Sequence, residues 1–374
     1  RGLTASGFLP DMRGLAVAVT TAVAWNITLK DAGYHTTDEL SQAYAELAKT
    51  CPDMKLSTRD DDATGLSLEY VTMSRIGGET KKKALLVFGE HARELVTAES
   101  GLHFLKQMCL GSASKALDKV DFHIIPNANP EGRKKVEAGD YCKRTNERGV
   151  DLNRNFGDSH RESVHEKPGD QMNPGPKGFS EPESRIVRNL IDELRPELYL
   201  SVHSGAYLLG APFGYTSQEA PKHSEDMKNI LGPISEKYCG NNCPYGALAE
   251  MIGYNSPGCD IDYAVEAGVP YAFTWEIYTS QDAREMYAEK AKAMRGEGEG
   301  LSMAASLFFA GQKRLSSFVQ TGKNGFLRKS GAIDTDWDDG RVCFQDFNPG
   351  DATELSQVLD NWSNAYVDLA AAVP

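Results

Sequence analysis

Short apolar runs set between helical segments constrain this chain more than any other feature. Lys83 to Gly89 (KALLVFG), Val120 to Pro126 (VDFHIIP), Glu197 to His203 (ELYLSVH) and Tyr271 to Tyr278 (YAFTWEIY) read as strands, and Leu66 to Ile76 as another. Near-continuous apolar strands are the pattern of sheets covered on both faces. Asp38 to Thr50 places Leu40, Ala43, Tyr44 and Leu47 at helical spacing after a Thr36-Thr37-Asp38 start signal, and Glu94 to Met108 is helical as well. Ser180-Glu181-Pro182-Glu183 reads as a capping box that opens a helix running to about Leu194. Helices alternating with short strands predict an α/β layer architecture. No internal repeat is present.

Composition narrows the function. The chain has 374 residues, 40% apolar and 25% charged, as in ordinary globular proteins. Lys and Arg number 40 against 53 Asp and Glu, a net charge of −13, which disfavours a nucleic-acid partner held through phosphates. No run reaches the ~18 apolar residues of a membrane span. Residues 1–33 read as a possible signal peptide or N-terminal extension. Met12-Arg13-Gly14 precedes the uncharged run Leu15 to Trp25, which fits either a signal-peptide core or a short buried helix or strand. Two glycosylation sequons, Asn26-Ile27-Thr28 and Asn361-Trp362-Ser363, are compatible with the secretory pathway, the expected location. Seven cysteines with no paired Cys-x-x-Cys pattern argue against a structural zinc ribbon.

Two segments look different. Residues 157–178 are polar and rich in Gly and Pro, which predicts a long surface loop. Residues 282–340 combine a helical stretch from Arg284 to Arg295, a Gly296-to-Gly300 run and an acidic turn from Asp334 to Gly340. That turn fails as a calcium loop because Gly340 stands one place too late and Gln345 replaces the final Glu.

The chemistry-bearing residues cluster at strand ends. His91 and Glu94 lie three apart where a strand turns into a helix and can face one metal ion. His203 ends another apolar strand before Ser204-Gly205, and carboxyl ends of parallel strands are where open α/β sheets build sites. Glu276 is a carboxylate inside an apolar strand, costly to bury unless paired or used, and is a candidate general base. Asp151-Leu152-Asn153-Arg154-Asn155-Phe156 places a planar, permanently charged guanidinium beside an amide, a pairing suited to a carboxylate ligand. Arg144 is a second cation nearby, and Asp151 can accept from the outer nitrogen of a metal-held imidazole.

Taken together, His91-x-Arg93-Glu94, Asp151-x-Asn153-Arg154-Asn155-Phe156, Ser201-x-His203-Ser204 and Phe273-Thr274-x-Glu276 resemble the motifs of the zinc metallocarboxypeptidases, of the carboxypeptidase A/B type and in the single-domain form of plant-like members. Tyr254-x-x-x-Gly258-x-x-x-Asp262 is similar to the family's mobile tyrosine segment, and Tyr34-His35-Thr36 to the start of its catalytic domain. Cys343 to Leu369 resembles the closing segment and final helix.

The resemblance implies a single-domain mixed β-sheet flanked by helices over residues 34–374, with an insertion at 282–340. It implies one Zn2+ per chain, held by His91, Glu94 and His203, with Asp151 orienting His91. Glu276 would activate a zinc-bound water and Arg144 would stabilise the oxyanion. Asn153, Arg154 and Tyr254 would hold the terminal carboxylate of a peptide or protein substrate, and Arg93 would contact the substrate further from the scissile bond. Ile261 falls at the base of the side-chain pocket, which implies apolar or aromatic C-terminal residues; Asp260 and Asp262 flank it, and a slip of one position would reverse that reading. A monomer is expected. Cys142–Cys343 and Cys239–Cys243 are plausible disulfides. The alternatives are a non-peptide acyl-amide hydrolase of the desuccinylase or aspartoacylase kind, or a pseudoenzyme that binds peptide termini.

Overall fold

The structure is a computed structural model that describes residues 29–75, 81–159, 171–297 and 339–374. Its strands are β1 (Met54–Asp61), β2 (Leu66–Met73), β3 (Lys82–Phe88), β4 (Val120–Ile125), β5 (Leu198–His203), β6 (Ala206–Ala211), β7 (Tyr245–Ala247) and β8 (Tyr271–Tyr278). They form one 8-stranded sheet in the order β1-β2-β4-β3-β5-β8-β6-β7. The central strands β4, β3, β5 and β8 are parallel. Strands β1, β2 and β6 pair antiparallel with their inner neighbours, so the sheet is mixed.

The helices are α1 (Thr37–Thr50), α2 (Leu95–Leu110), α3 (Pro130–Glu137), α4 (Pro182–Leu194), α5 (Ser224–Cys239), α6 (Leu248–Ile252), α7 (Asp260–Glu266), α8 (Gln281–Met294), α9 (Asp339–Phe347) and α10 (Ala352–Ala372). Strand alternation sorts the core into two layers. Ala84, Leu86 and Phe88 of β3 and Phe273, Trp275 and Ile277 of β8 join side chains of α1, α2, α5 and α10. Leu85, Val87 and Ala272 face the other way, against Ile186, Val187, Leu190 and Ile191 of α4 and Ile261 and Ala264 of α7. Trp362 and Tyr366 of α10 pack against Trp275 with ring centroids 5.7 and 6.0 Å away. Burying such side chains contributes roughly 1.5–3 kcal/mol each.

Several expectations change. Ser180 does not cap α4: the N-cap is Glu181, with no side-chain cap bond. The Ser180 hydroxyl donates instead to Glu181. Strand β1 escaped the reading because its edge position leaves a polar sequence with no clear alternation. Helix α5 escaped because Pro233 interrupts its pattern. In the second sequon, Asn361 lies within α10 and donates to the Tyr238 carbonyl at 2.9 Å, so its amide is engaged in packing rather than displayed on a loop.

The uncharged run Leu15 to Trp25 and the first sequon lie outside the described residues. So do residues 160–170 of the expected loop and 298–338 of the expected insertion, including most of the acidic turn. No helix among the described residues is long and apolar enough to cross a membrane.

The cysteines pair as Cys51–Cys109, Cys142–Cys343 and Cys239–Cys243, leaving a buried free Cys259. The first pair was not anticipated.

Candidate active site and metal centre

Three parallel strands deliver the site. After β3 the chain turns at Gly89, where φ is +69° and a Cβ would meet Asn127 Oδ1 at 2.7 Å. That tight turn brings His91 and Glu94 to the carboxyl end of the central strands. Glu94 holds the N-cap position of α2, yet its side chain makes no cap bond. It accepts instead from the Ser204 N–H at 3.1 Å, which draws the end of β5 against it. In β5, Tyr199, Ser201 and His203 share one face. The β5–β8 register sets His203 opposite Glu276.

His91 Nδ1 lies 2.7 Å from Glu94 Oε1, and His203 Nδ1 lies 3.1 Å from Glu94 Oε2 and 3.0 Å from His91 Nδ1. The three residues are 3%, 2% and 1% exposed. Two imidazole nitrogens and a carboxylate converging in a buried space form the donor set of a borderline divalent cation. The outer nitrogens are also engaged. His91 Nε2 is 3.1 Å from Asp151 Oδ1, and His203 Nε2 is 2.8 Å from Ser201 Oγ. That leaves both Nδ1 atoms turned inward, so the group is compatible with one zinc ion. Burial alone would raise the Glu94 carboxyl, but His91 and His203 outweigh it and hold the group well below the usual range.

Asp151 is buried and links two parts of the site. Its Oδ2 accepts from Arg144 Nε at 2.7 Å, which places the Arg144 guanidinium 3.8 Å from Glu94. Burial opposes ionisation of Asp151, yet Arg144 and His91 keep it ionised. The neighbouring Lys143 donates to Thr145 Oγ1 instead. Glu276 is half-buried, and its Oε2 accepts from the Ala206 N–H at 3.3 Å. Burial, with Glu94 adding to it, raises its pKa above the ordinary value, and a raised pKa suits a proton carrier.

Asn153 and Arg154 lie in a short turn over Leu152–Arg154 that the Asp151 side chain caps. Asn153 accepts from the Asp260 N–H at 3.1 Å, and its Nδ2 faces His203 at 3.2 Å. Arg154 Nη2 reaches the Tyr254 hydroxyl at 3.4 Å. Ile261 is fully buried in the α7 layer. The Asp260 carboxylate accepts from Tyr199 and from the Ile261 N–H, while Asp262 accepts from the Gly214 and Tyr215 N–H groups. Arg93 is 3% exposed: its Nη1 donates to the Cys142 carbonyl at 3.2 Å and its guanidinium lies 4.0 Å from the Phe347 ring centroid.

The sequence reading missed Glu90. It is buried, and its Oε2 lies 3.3 Å from His203 Nε2. An acid directly after an apolar strand was the available signal, because such a group needs a partner. Glu90, His203 and Asp260 form a second cluster of potential ligands among the described residues. Its shared member, His203, already turns its other nitrogen toward Glu94.

The family described as zinc carboxypeptidase matches residues 40–303, well over half of the chain. Carboxypeptidase B of Astacus astacus is 29% identical over 304 residues, covering 73% of this chain and 96% of its own length. Zinc carboxypeptidase A 1 of Anopheles gambiae is 28% identical over 280 residues; the match covers 67% of this chain and 61% of the mosquito protein, so the chain spans under two thirds of that relative. Among solved structures, thrombin-activatable fibrinolysis inhibitor superimposes with a TM-score of 0.61 at 20% identity, covering 78% and 76% of the two chains. Carboxypeptidase A from Helicoverpa armigera gives 0.60 at 22%, covering 76% and 73%. At such identities these structures speak for the fold, and the family match speaks for kinship: this chain belongs to the zinc carboxypeptidase family.

Proposed function

We propose that the protein is a zinc-dependent carboxypeptidase that removes the last residue from peptides or proteins, preferring apolar or aromatic C-terminal residues. The observation that carries this reading is the Arg154–Tyr254 pair beside the buried His91, Glu94 and His203 group. A fixed guanidinium and a phenol suit a terminal carboxylate, which a non-peptide acyl amide need not possess.

Zinc held by His91, Glu94 and His203 would supply Lewis acidity at the scissile carbonyl and make water easier to deprotonate. The chain's own groups do the rest. Asn153, Arg154 and Tyr254 hold the substrate carboxylate and so fix which bond is cut. Glu276, steadied at Oε2 by the Ala206 N–H, takes a proton from water at its other oxygen and returns it to the leaving amine. Arg144, positioned by Asp151, offers its Nη groups to the developing oxyanion. Asp151 holds the His91 ring in place through Nε2.

Ile261 at the pocket base favours apolar side chains, and the engagement of both flanking carboxylates by hydrogen bonds supports that preference. Residues 34–374 are read as one catalytic domain with an insertion at 282–340. Three disulfides support a secretory-pathway location, since such bonds persist in oxidising compartments.

The test compares one peptide ending in Leu in two forms, with a free and with an amidated C-terminus. Release of Leu from the free acid alone supports the reading. Equal hydrolysis of both forms would refute the carboxylate-holding role of Arg154.

A further inference from the structure

We propose that Phe347 and the segment around it form a wall that makes the site favour short peptides over longer chains. This rests on the carboxypeptidase reading above and adds the length of substrate it accepts.

The two sides of the metal group belong to different layers. Cys259 and Ile261, beside Arg154 and Tyr254, pack in the layer of α4 and α7. Phe344, one turn before Phe347 in α9, packs in the layer of α1, α2 and α10. A peptide whose carboxylate rests at Arg154, with its last bond at His91, Glu94 and His203, must lead its upstream residues away from Arg154. On this proposal that course runs toward the neighbours of the metal residues on the α2 side: Arg93, Ser204 and Gly205.

The C-terminal segment already occupies those neighbours. The Ser204 hydroxyl donates to the Phe347 carbonyl at 2.7 Å. A Cβ at Gly205 would run into the Phe347 ring, so the ring stands where a side chain at 205 would begin. The same ring covers the Arg93 guanidinium. Arg93 Nε is buried with no hydrogen-bond partner among the described residues, and the Phe347 ring stacks on the guanidinium.

The segment is also held firmly. Asn348 is 1% exposed; its Oδ1 accepts from the Val96 N–H at 3.0 Å and its Nδ2 donates to the Arg93 carbonyl at 2.8 Å. Cys343 is bonded to Cys142, two residues before Arg144. The wall is therefore pinned to α2 and to the loop that carries Arg144. A substrate with one amino-acid residue ahead of the scissile bond stops short of the ring, and longer chains meet it.

The experiment measures kcat/KM for an N-acylated dipeptide and a pentapeptide that end in the same Leu. The zinc-loaded wild type is expected to favour the dipeptide by at least about tenfold, the scale of one packing contact in a pocket. Phe347→Ala is expected to narrow that ratio by about tenfold or more, and Phe347→Leu by less. Circular dichroism and zinc content identify the folded variants, and either variant alone suffices for the comparison. A wild type that cleaves the pentapeptide as well as the dipeptide overturns the proposal, as does an unchanged ratio in a folded variant. Release of Leu from neither substrate by zinc-loaded wild type would refute the carboxypeptidase reading itself, and this proposal with it.

Discussion

His203 and Glu276 sit directly opposite each other in the parallel pairing of β5 and β8. Register thus ties a metal-group imidazole to the candidate proton carrier, and no loop has to bring them together. Glu276→Gln keeps the shape and removes the base. It should lower the rate of amino-acid release by about 10²–10⁴-fold while zinc content stays equal to wild type. A variant that retains zinc and full turnover would remove Glu276 from the mechanism.

Asp151 couples His91 to Arg144 through its two oxygens. Asp151→Asn should weaken zinc binding by about 10–100-fold, the usual effect of losing an outer partner of a metal-held imidazole. Competition with a chromophoric chelator measures this without reference to turnover. Unchanged affinity would mean that Asp151 serves Arg144 alone.

Arg154→Ala removes the charged partner assigned to the substrate carboxylate. Charge-assisted hydrogen bonds contribute about 1.5–3 kcal/mol, so kcat/KM for free-acid peptides should fall by roughly 10–150-fold. Any residual cleavage of peptides with amidated ends should show no comparable fall. A similar loss for both would point to a structural role.

Burial raises the pKa of Asp262 from 3.8 to about 7, against the opposing Gly214 and Tyr215 N–H groups. The folded protein thus binds this proton more tightly than the unfolded chain does. The stabilisation is complete below about pH 4 and is lost as pH rises through about 7. Asp262→Asn has no such loss, so over that interval its stability should gain on wild type by roughly 1–4 kcal/mol. Denaturant melts at pH 4, 5.5 and 7.5 make the comparison, and parallel pH profiles would contradict it.

The disulfide count has its own check. Alkylation in denaturant without reductant should add one group, at Cys259. Three added groups would mean that one of the three bridges is missing. Opening Cys51–Cys109, whose partners are 58 residues apart, should cost about 4 kcal/mol of stability by the loop-entropy relation.

The legible part of this protein was the part where local pattern and tertiary role coincide. Strand β8 runs from Tyr271 to Tyr278 as its apolar sequence indicates, β5 differs from the reading by one residue at its start, and β3 by one residue at each end. His91, Glu94 and His203 were visible because motifs in order, each weak alone, pointed to one place. Glu90 stayed hidden, and Asp260 was read only as a flank of Ile261, because their meaning lies in contacts between residues far apart in the chain, with His203 and Tyr199. Phe347 could not be read at all: its importance lies in Gly205 and Arg93, more than a hundred residues upstream. The misplaced cap of α4 has a tertiary cause too, since Glu181 is fully buried and accepts from Asn146 at 2.9 Å, which fixes the chain one residue later.

The most direct measurement is release of the terminal residue from otherwise identical peptides ending in Phe, Leu, Lys, Arg or Glu, with and without a zinc chelator. The account expects chelator-sensitive release of a single residue, fastest for Phe or Leu. Release that survives complete zinc removal, or none from any peptide by zinc-loaded protein, would contradict it.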